Sequence, residues 1–144
     1  MLSTSKLSDS EGDDLRLLLK LEKLCFNDVN KEGVHLYEVR LAEDVVGYFG
    51  IELFGDNALF RSMVVKPEGR NKGYGTLIWQ LAEEKLKDKK VKEVFLLTNT
   101  ASTFFSKQGF VIIARDSVPE AIATTTEFTE FCPDDSVCMK IKFN

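Results

Sequence analysis

The stretch SMVVKPEGRNKGYGTLI, Ser62 to Ile78, decides how the rest of this 144-residue chain is read. It opens as an apolar strand at Met63-Val64-Val65 and passes through turn-forming residues from Lys66 to Lys72. It then reaches two glycines spaced one apart, Gly73 and Gly75, and continues as a helical pattern. A strand running through a glycine-bearing loop into a helix is one way to build a phosphate site. Unpaired backbone N–H groups and the positive end of the helix dipole then converge on one spot. Arg70-Asn71-Lys72-Gly73-Tyr74-Gly75 fits RxxGxG. No GK[ST] follows, so it is not a P-loop, and the glycine spacing is not that of a dinucleotide-binding fingerprint. On its own the loop reads equally well as a tight strand-to-helix turn.

Upstream of the loop the pattern is a three-strand meander. His35 to Leu41 is the first strand, Ala42-Glu43-Asp44 a hairpin turn, and Val45 to Phe54 the second strand. Alternation puts Val45, Gly47, Phe49, Ile51 and Leu53 on one face, and Val46, Tyr48, Gly50, Glu52 and Phe54 on the other. Gly55-Asp56-Asn57 is turn chemistry, and Ala58 to Val65 is the third strand, with Arg61 and Ser62 interrupting its apolar run. Before the meander, Leu15, Leu18, Leu19 and Leu24-Cys25 recur with helical spacing, which predicts a helix over Asp13 to Phe26. Residues 1–10 fit a short edge strand or an irregular lead.

Downstream, Tyr74, Leu77, Ile78, Leu81, Ala82 and Leu86 mark one helical face, and Asp88-Lys89-Lys90 closes that helix. Val94 to Leu97 reads as a buried strand. A brief helix over Ser102 to Gln108 ends at Gly109 as its C′ residue, and Phe110 to Ala114 is a further strand. Pro119 stands near the start of a short helix with Ser117 as cap, and a second one runs toward Phe131. Val137, Met139, Ile141 and Phe143 alternate with Cys138, Lys140 and Lys142, which predicts a half-exposed final strand.

Composition bounds the function. A chain of 144 residues with 44% apolar and 29% charged residues suits one globular domain over residues 1–144. The net charge of −4 argues against nucleic acid or an anionic membrane as the main partner. Three widely spaced cysteines, Cys25, Cys132 and Cys138, suit a reducing compartment, and the single His35 excludes a metal site built from several imidazoles. No apolar run is long enough for a membrane span, and the N-terminus lacks the apolar core of a signal peptide. A cytoplasmic protein without a metal, acting as a monomer or homodimer, is the expectation.

The loop gains meaning from its surroundings. It follows the third strand of a meander, the next strand ends in Asn99, and Phe104-Phe105 and Lys107-Gln108-Gly109-Phe110 come after it. This combination resembles the GNAT superfamily of acyl-CoA-dependent N-acyltransferases, from roughly Leu15 to Phe143. The segments FRSMVV before the loop (Phe60 to Val65), LLTNTASTFF, VPEAIATTTEF and FCPDDSVCMK further resemble arsenic-resistance-associated (ArsN-type) N-acetyltransferases. The resemblance implies an α/β fold with a mostly antiparallel mixed sheet, splayed at the cofactor site and flanked by helices.

It also implies a mechanism. Acetyl-CoA is expected in a V between the Ala58–Val65 and Val94–Leu97 strands, its pyrophosphate on Arg70, Asn71, Lys72, Gly73, Tyr74, Gly75 and Thr76. The pantetheine arm is expected to pair with the backbone of Met63, Val64 and Val65 like an added strand, with Val64 supplying the N–H for the oxyanion. Asn99 would hold the pantetheine, Phe104 and Phe105 would pack on the cofactor, and Lys107 belongs to the turn behind them. Many members carry a Tyr where this chain has Phe105, so the leaving thiolate either finds another acid or departs without one. Glu52 is the candidate base, directly or through water, and is equally a solvated strand residue. Arg61 and Ser62 are candidates for binding a carboxylated acceptor, and Arg61 equally for a salt bridge to Glu52 or another acid.

The function implied is acetyl transfer to the primary amine of a small amino-acid-like acceptor. A non-catalytic acyl-CoA-binding module and a protein N-acetyltransferase are the alternatives.

Overall fold

The structure is a computed structural model that describes residues 2–6, 33–66, 73–99, 101–125, 128 and 136–143. The expected helix over Asp13 to Phe26, the helix running toward Phe131, Arg70, Asn71, Lys72, Cys25 and Cys132 lie outside the described residues.

Seven strands form one sheet in the order β1-β2-β3-β4-β5-β7-β6. They are β1 (Leu2–Lys6), β2 (Val34–Leu41), β3 (Asp44–Phe54), β4 (Asn57–Val65), β5 (Glu93–Thr98), β6 (Val111–Ile113) and β7 (Val137–Lys142). Among the described residues only β4 and β5 pair in parallel; the other neighbouring strands are antiparallel. This mixed sheet flanked by helices is the expected fold class, and the first ten residues do supply an edge strand, β1. The β2–β3 turn places Ala42 at φ 57° and the β3–β4 turn places Gly55 at φ 62°, so both hairpins close within two residues.

Helix α1 (Tyr74–Asp88) makes the crossover that a parallel β4–β5 pair requires. Its buried residues Ile78, Trp79, Ala82 and Leu86 recur at helical spacing and lie against the face of the sheet that carries Phe49, Ile51 and Phe60. Trp79 meets Phe60 edge-on at 5.1 Å and Phe110 at 5.0 Å, and each such fully buried side chain contributes about 1.5–3 kcal/mol. The helix ends in a left-handed turn at Lys90 (φ 65°), with Val91 N–H bonded to the Leu86 carbonyl and Lys90 N–H to that of Lys87.

Helix α2 (Ser102–Lys107) ends in the same way, here at Gly109 (φ 106°). Phe110 N–H reaches the Phe105 carbonyl and Gly109 N–H that of Ser106, as the glycine predicts.

The opposite face of the sheet carries a smaller core: Leu59, Phe95, Val118, Ile122, Phe128 and Cys138. Helix α3 (Glu120–Ala123) packs there. Its N-cap is Pro119 without a side-chain bond; Ser117, expected as the cap, belongs instead to a 3-10 turn over Arg115–Ser117. The last strand also differs from expectation. β7 lies between β5 and β6, so Cys138 and Met139 are both buried where alternation alone suggested one exposed face.

Candidate functional site

The sheet opens where β4 and β5 part. Their pairing covers only Asn57, Ala58 and Leu59 against Glu93, Val94 and Phe95. From Phe60 to Val65 the β4 backbone runs on without β5 beside it, leaving a V with β4 as one wall and the end of β5 as the other.

A bulge accompanies the split. On β3, Tyr48 pairs with Val64 and Gly50 with Arg61, so Ser62 and Met63 together face Phe49. Ser62 sits at φ 59°, in the left-handed region that a residue with a β-carbon seldom adopts.

The register also decides which amides face the V. Lys66 N–H bonds to the Val46 carbonyl at 2.8 Å, which makes Val46/Lys66 and, two residues back, Tyr48/Val64 the hydrogen-bonded pairs. Val64 therefore turns its N–H and C=O toward β3. The expectation that Val64 donates to the oxyanion is corrected on this ground: its N–H faces β3 and not the V.

The three segments picked out from the sequence meet at one end of the V. A β-carbon added to Gly75 would lie 3.4 Å from Cε1 of Phe104 and 3.6 Å from Cε of Met63. The start of α1 thus lies against both β4 and α2. Gly73 caps α1 at φ 78°, and a β-carbon there would meet no atom of the described residues within 4 Å. The first turn of α1, with Tyr74, Gly75 and Thr76, carries no acidic side chain, so its N–H groups and positive dipole end are not offset.

On the β5 side, Thr98 accepts the Ala101 N–H at 3.0 Å and so starts α2. Asn99 is exposed at the strand end and its Oδ1 accepts the Ser136 hydroxyl at 2.8 Å. Lys107 is exposed in the last turn of α2. A glycine-lined helix start with no described atom within 4 Å of a β-carbon at Gly73, and a strand that runs on past its last pairing with β5, fit the pyrophosphate and pantetheine of coenzyme A. Gly73, Tyr74, Gly75 and Thr76 would hold the former, Met63 and Val65 the latter.

Phe104 and Phe105 part company. Phe105 is 7% exposed and packs edge-on against Phe60, Phe104 and Phe110, so it belongs to the core and not, as expected, to the cofactor surface. Phe104, half-buried beside Gly75, is the ring at the site. Neither position supplies a phenol.

Glu52, Arg61 and Ser62 form a cluster on the other face of β3 and β4. Arg61, whose side chain is fully buried, donates from Nη1 to Glu52 Oε1 at 3.0 Å and from Nε to Ser62 Oγ at 3.1 Å. Glu52 is an acid that Arg61 meets among the described residues. His35 pairs with Ile51, which puts it on the opposite side of the sheet from Glu52. Sequence reasoning missed the Ser62 contact, because nothing in the residue type announces a bulge.

Residues 25–112 match the family described as Acetyltransferase (GNAT) domain. The chain belongs to that family. As a GNAT protein it is 30% identical over 129 residues to the uncharacterized protein YwlB of Bacillus subtilis, covering 85% of this chain and 84% of that one. It is 42% identical over 65 residues to an uncharacterized N-acetyltransferase, CT2212, of Chlorobaculum tepidum, of which the match spans 41%.

Among solved structures, N-acetylglutamate synthase from Neisseria gonorrhoeae in complex with coenzyme A and L-arginine superposes with a TM-score of 0.81 at 14% identity. That match covers 99% of this chain and 33% of the synthase. Rv2747 from Mycobacterium tuberculosis, in complex with CoA and NLQ, superposes at 0.76 with 16% identity and 99% of both chains covered. These likenesses show a shared GNAT fold.

Proposed function

We propose that this GNAT protein is an acetyl-CoA-dependent N-acetyltransferase that acetylates the primary amine of a small, amino-acid-like acceptor by direct attack in a ternary complex. The observation that carries the reading is the meeting of Met63, Gly75 and Phe104 at the V between β4 and β5. Bound acetyl-CoA supplies the activated acetyl thioester.

The chain's own residues then have distinct tasks. Gly73, Tyr74, Gly75 and Thr76, with Arg70, Asn71 and Lys72 ahead of them, bind the pyrophosphate through backbone amides at the start of α1. Met63 and Val65 hold the pantetheine as an added strand, and Asn99 and Phe104 close the far wall with Lys107 behind. Because the pyrophosphate end lies beyond Val65, the acyl end lies toward the bulge. There the Met63 N–H would donate to the thioester carbonyl oxygen.

Glu52 accepts the amine proton, directly or through one water, and is held in place by Arg61. Arg61 and Ser62 serve Glu52 and β4 in this reading and not the acceptor. The preference for an amino acid or an amino-acid-like toxin as acceptor rests on the resemblance of the quoted segments to arsenic-resistance-associated enzymes. Without a phenol at position 105, that position offers no acid to a leaving thiolate, which a thiol with a pKa of about 8.5 would tolerate.

The test is thiol release from acetyl-CoA with a panel of amino acids, aminophosphonates, arsenical analogues and peptides. Turnover on the small amines, lost in Glu52→Gln, is expected. Turnover on peptides alone would sink the small-acceptor reading. Phe105 in place of an acid favours a second reading, a non-catalytic acyl-CoA sensor, which tight CoA binding without turnover on any amine would support.

A further inference from the structure

Ser62 adopts a conformation that a serine resists on its own. Its φ of 59° crowds the β-carbon against the following carbonyl. Yet this residue is where β4 gains its extra residue against Phe49, three residues past the last pairing with β5. The conformation that shapes the V is therefore one that something else must hold.

Arg61 is in place to hold it. Its planar guanidinium bonds Ser62 Oγ through Nε at 3.1 Å and Glu52 Oε1 through Nη1 at 3.0 Å, with none of the side chain exposed. Glu52 comes from β3, two positions along from Gly50, the partner of Arg61. The three side chains thus bind the bulge to the neighbouring strand. We propose that Arg61 is a positioning residue for the acyl-CoA site: anchored on Glu52, it holds Ser62 left-handed and so sets the direction in which Met63 and Val65 present their amides. The inference rests on the reading of the V as a CoA site. It adds a role that needs no contact between Arg61 and cofactor or acceptor. A lysine has no second donor in a fixed fork and does not reproduce the pair of bonds.

The test uses CoA as the probe and calorimetric affinity as the readout, in wild type, Arg61→Met, Ser62→Gly and the double variant. Arg61→Met is expected to bind CoA about tenfold or more weakly. Adding Ser62→Gly restores most of that loss, because glycine enters the left-handed region without a clamp. Thermal unfolding separates this from a merely structural role: the double variant recovers most of the affinity but only part of the stability, since Glu52 lacks Arg61 in both. If Arg61→Met does not fold, Arg61→Lys carries the same comparison.

Wild-type affinity in the folded Arg61 variant, or no recovery on adding Ser62→Gly, overturns the proposal. A wild-type protein that does not bind CoA refutes the cofactor reading instead. The Ser62 φ measured by NMR then still decides the clamp, and a left-handed Ser62 retained in the Arg61 variant overturns it.

Discussion

A β-carbon built on Gly47 would stand 2.5 Å from the carbonyl oxygen of Val64 and 2.8 Å from Cδ1 of Ile78. Gly47 is the point where β3 lets β4 and the start of α1 come together, and the atom in the way is backbone, which does not yield cheaply. Gly47→Ala is therefore expected to destabilise the fold by about 1–3 kcal/mol, the usual range for overpacking. It should also displace β4 at Val64 and Val65 and weaken CoA binding. Urea denaturation and calorimetry measure the two effects. A stable variant with unchanged affinity would show that the strands have more room than the register allows.

Gly73 presents the opposite case. Its φ of 78° disfavours a side chain, but no atom of the described residues would lie within 4 Å of a β-carbon there. Gly73→Val should cost about 1–2 kcal/mol of stability for the left-handed backbone, leave the domain folded, and remove measurable CoA binding by filling the place of the phosphates. Gly73→Asn separates the two causes, because asparagine tolerates this conformation while still carrying a β-carbon. It is expected to keep more of the stability and still lose affinity. Unchanged CoA affinity in Gly73→Val would refute the placement of the pyrophosphate.

How much of this was legible beforehand differs by feature. The β2–β3–β4 meander could be read to within a residue because Ala42-Glu43 and Gly55-Asp56 punctuate alternating runs. That Glu52 and Arg61 share a face also follows from period two plus a tight hairpin. The bulge at Ser62 does not, since a serine at positive φ is imposed by its partners and leaves no compositional trace. The direction of the Val64 amide was misjudged for a related reason: it depends on which cross-strand pairs are hydrogen-bonded, a matter of register and not of residue type. Burial of Cys138 depends on β7 inserting between β5 and β6, a long-range choice that local alternation cannot express.

Phe104 and Phe105 are adjacent in sequence and should behave as different kinds of residue. Phe105→Ala is expected to cost about 3–5 kcal/mol, as for a large buried ring, and Phe104→Ala only about 1–2 kcal/mol for a half-buried one, with a larger share of its effect in CoA affinity. Phe105→Tyr tests the missing acid directly. Its hydroxyl would enter a core of Phe60, Phe104 and Phe110 rings, so a loss of about 1–3 kcal/mol in stability is expected for an unsatisfied buried polar group, without a gain in turnover. A faster enzyme with undiminished stability would show that position 105 opens to the site after all.

Cys138 gives the fold a pH dependence of known sign. Burial pushes its thiol up from 9.0 to about 11, against a smaller opposing pull from the Arg115 guanidinium. The unfolded chain ionises this thiol first, so its contribution is fully present below pH 9, the unfolded value, and is lost as the pH rises toward about 11. The loss amounts to at most about 2–3 kcal/mol, at about 1.4 kcal/mol per pKa unit. In a Cys25→Ser/Cys132→Ser background, stability by urea denaturation should fall across that window, and Cys138→Ala should flatten the fall while lowering stability at neutral pH. The same buried thiol should resist a disulfide reagent at pH 8 until the protein unfolds. Rapid labelling of the native protein, or an equal alkaline loss in the Cys138→Ala variant, would exclude this thiol as the source.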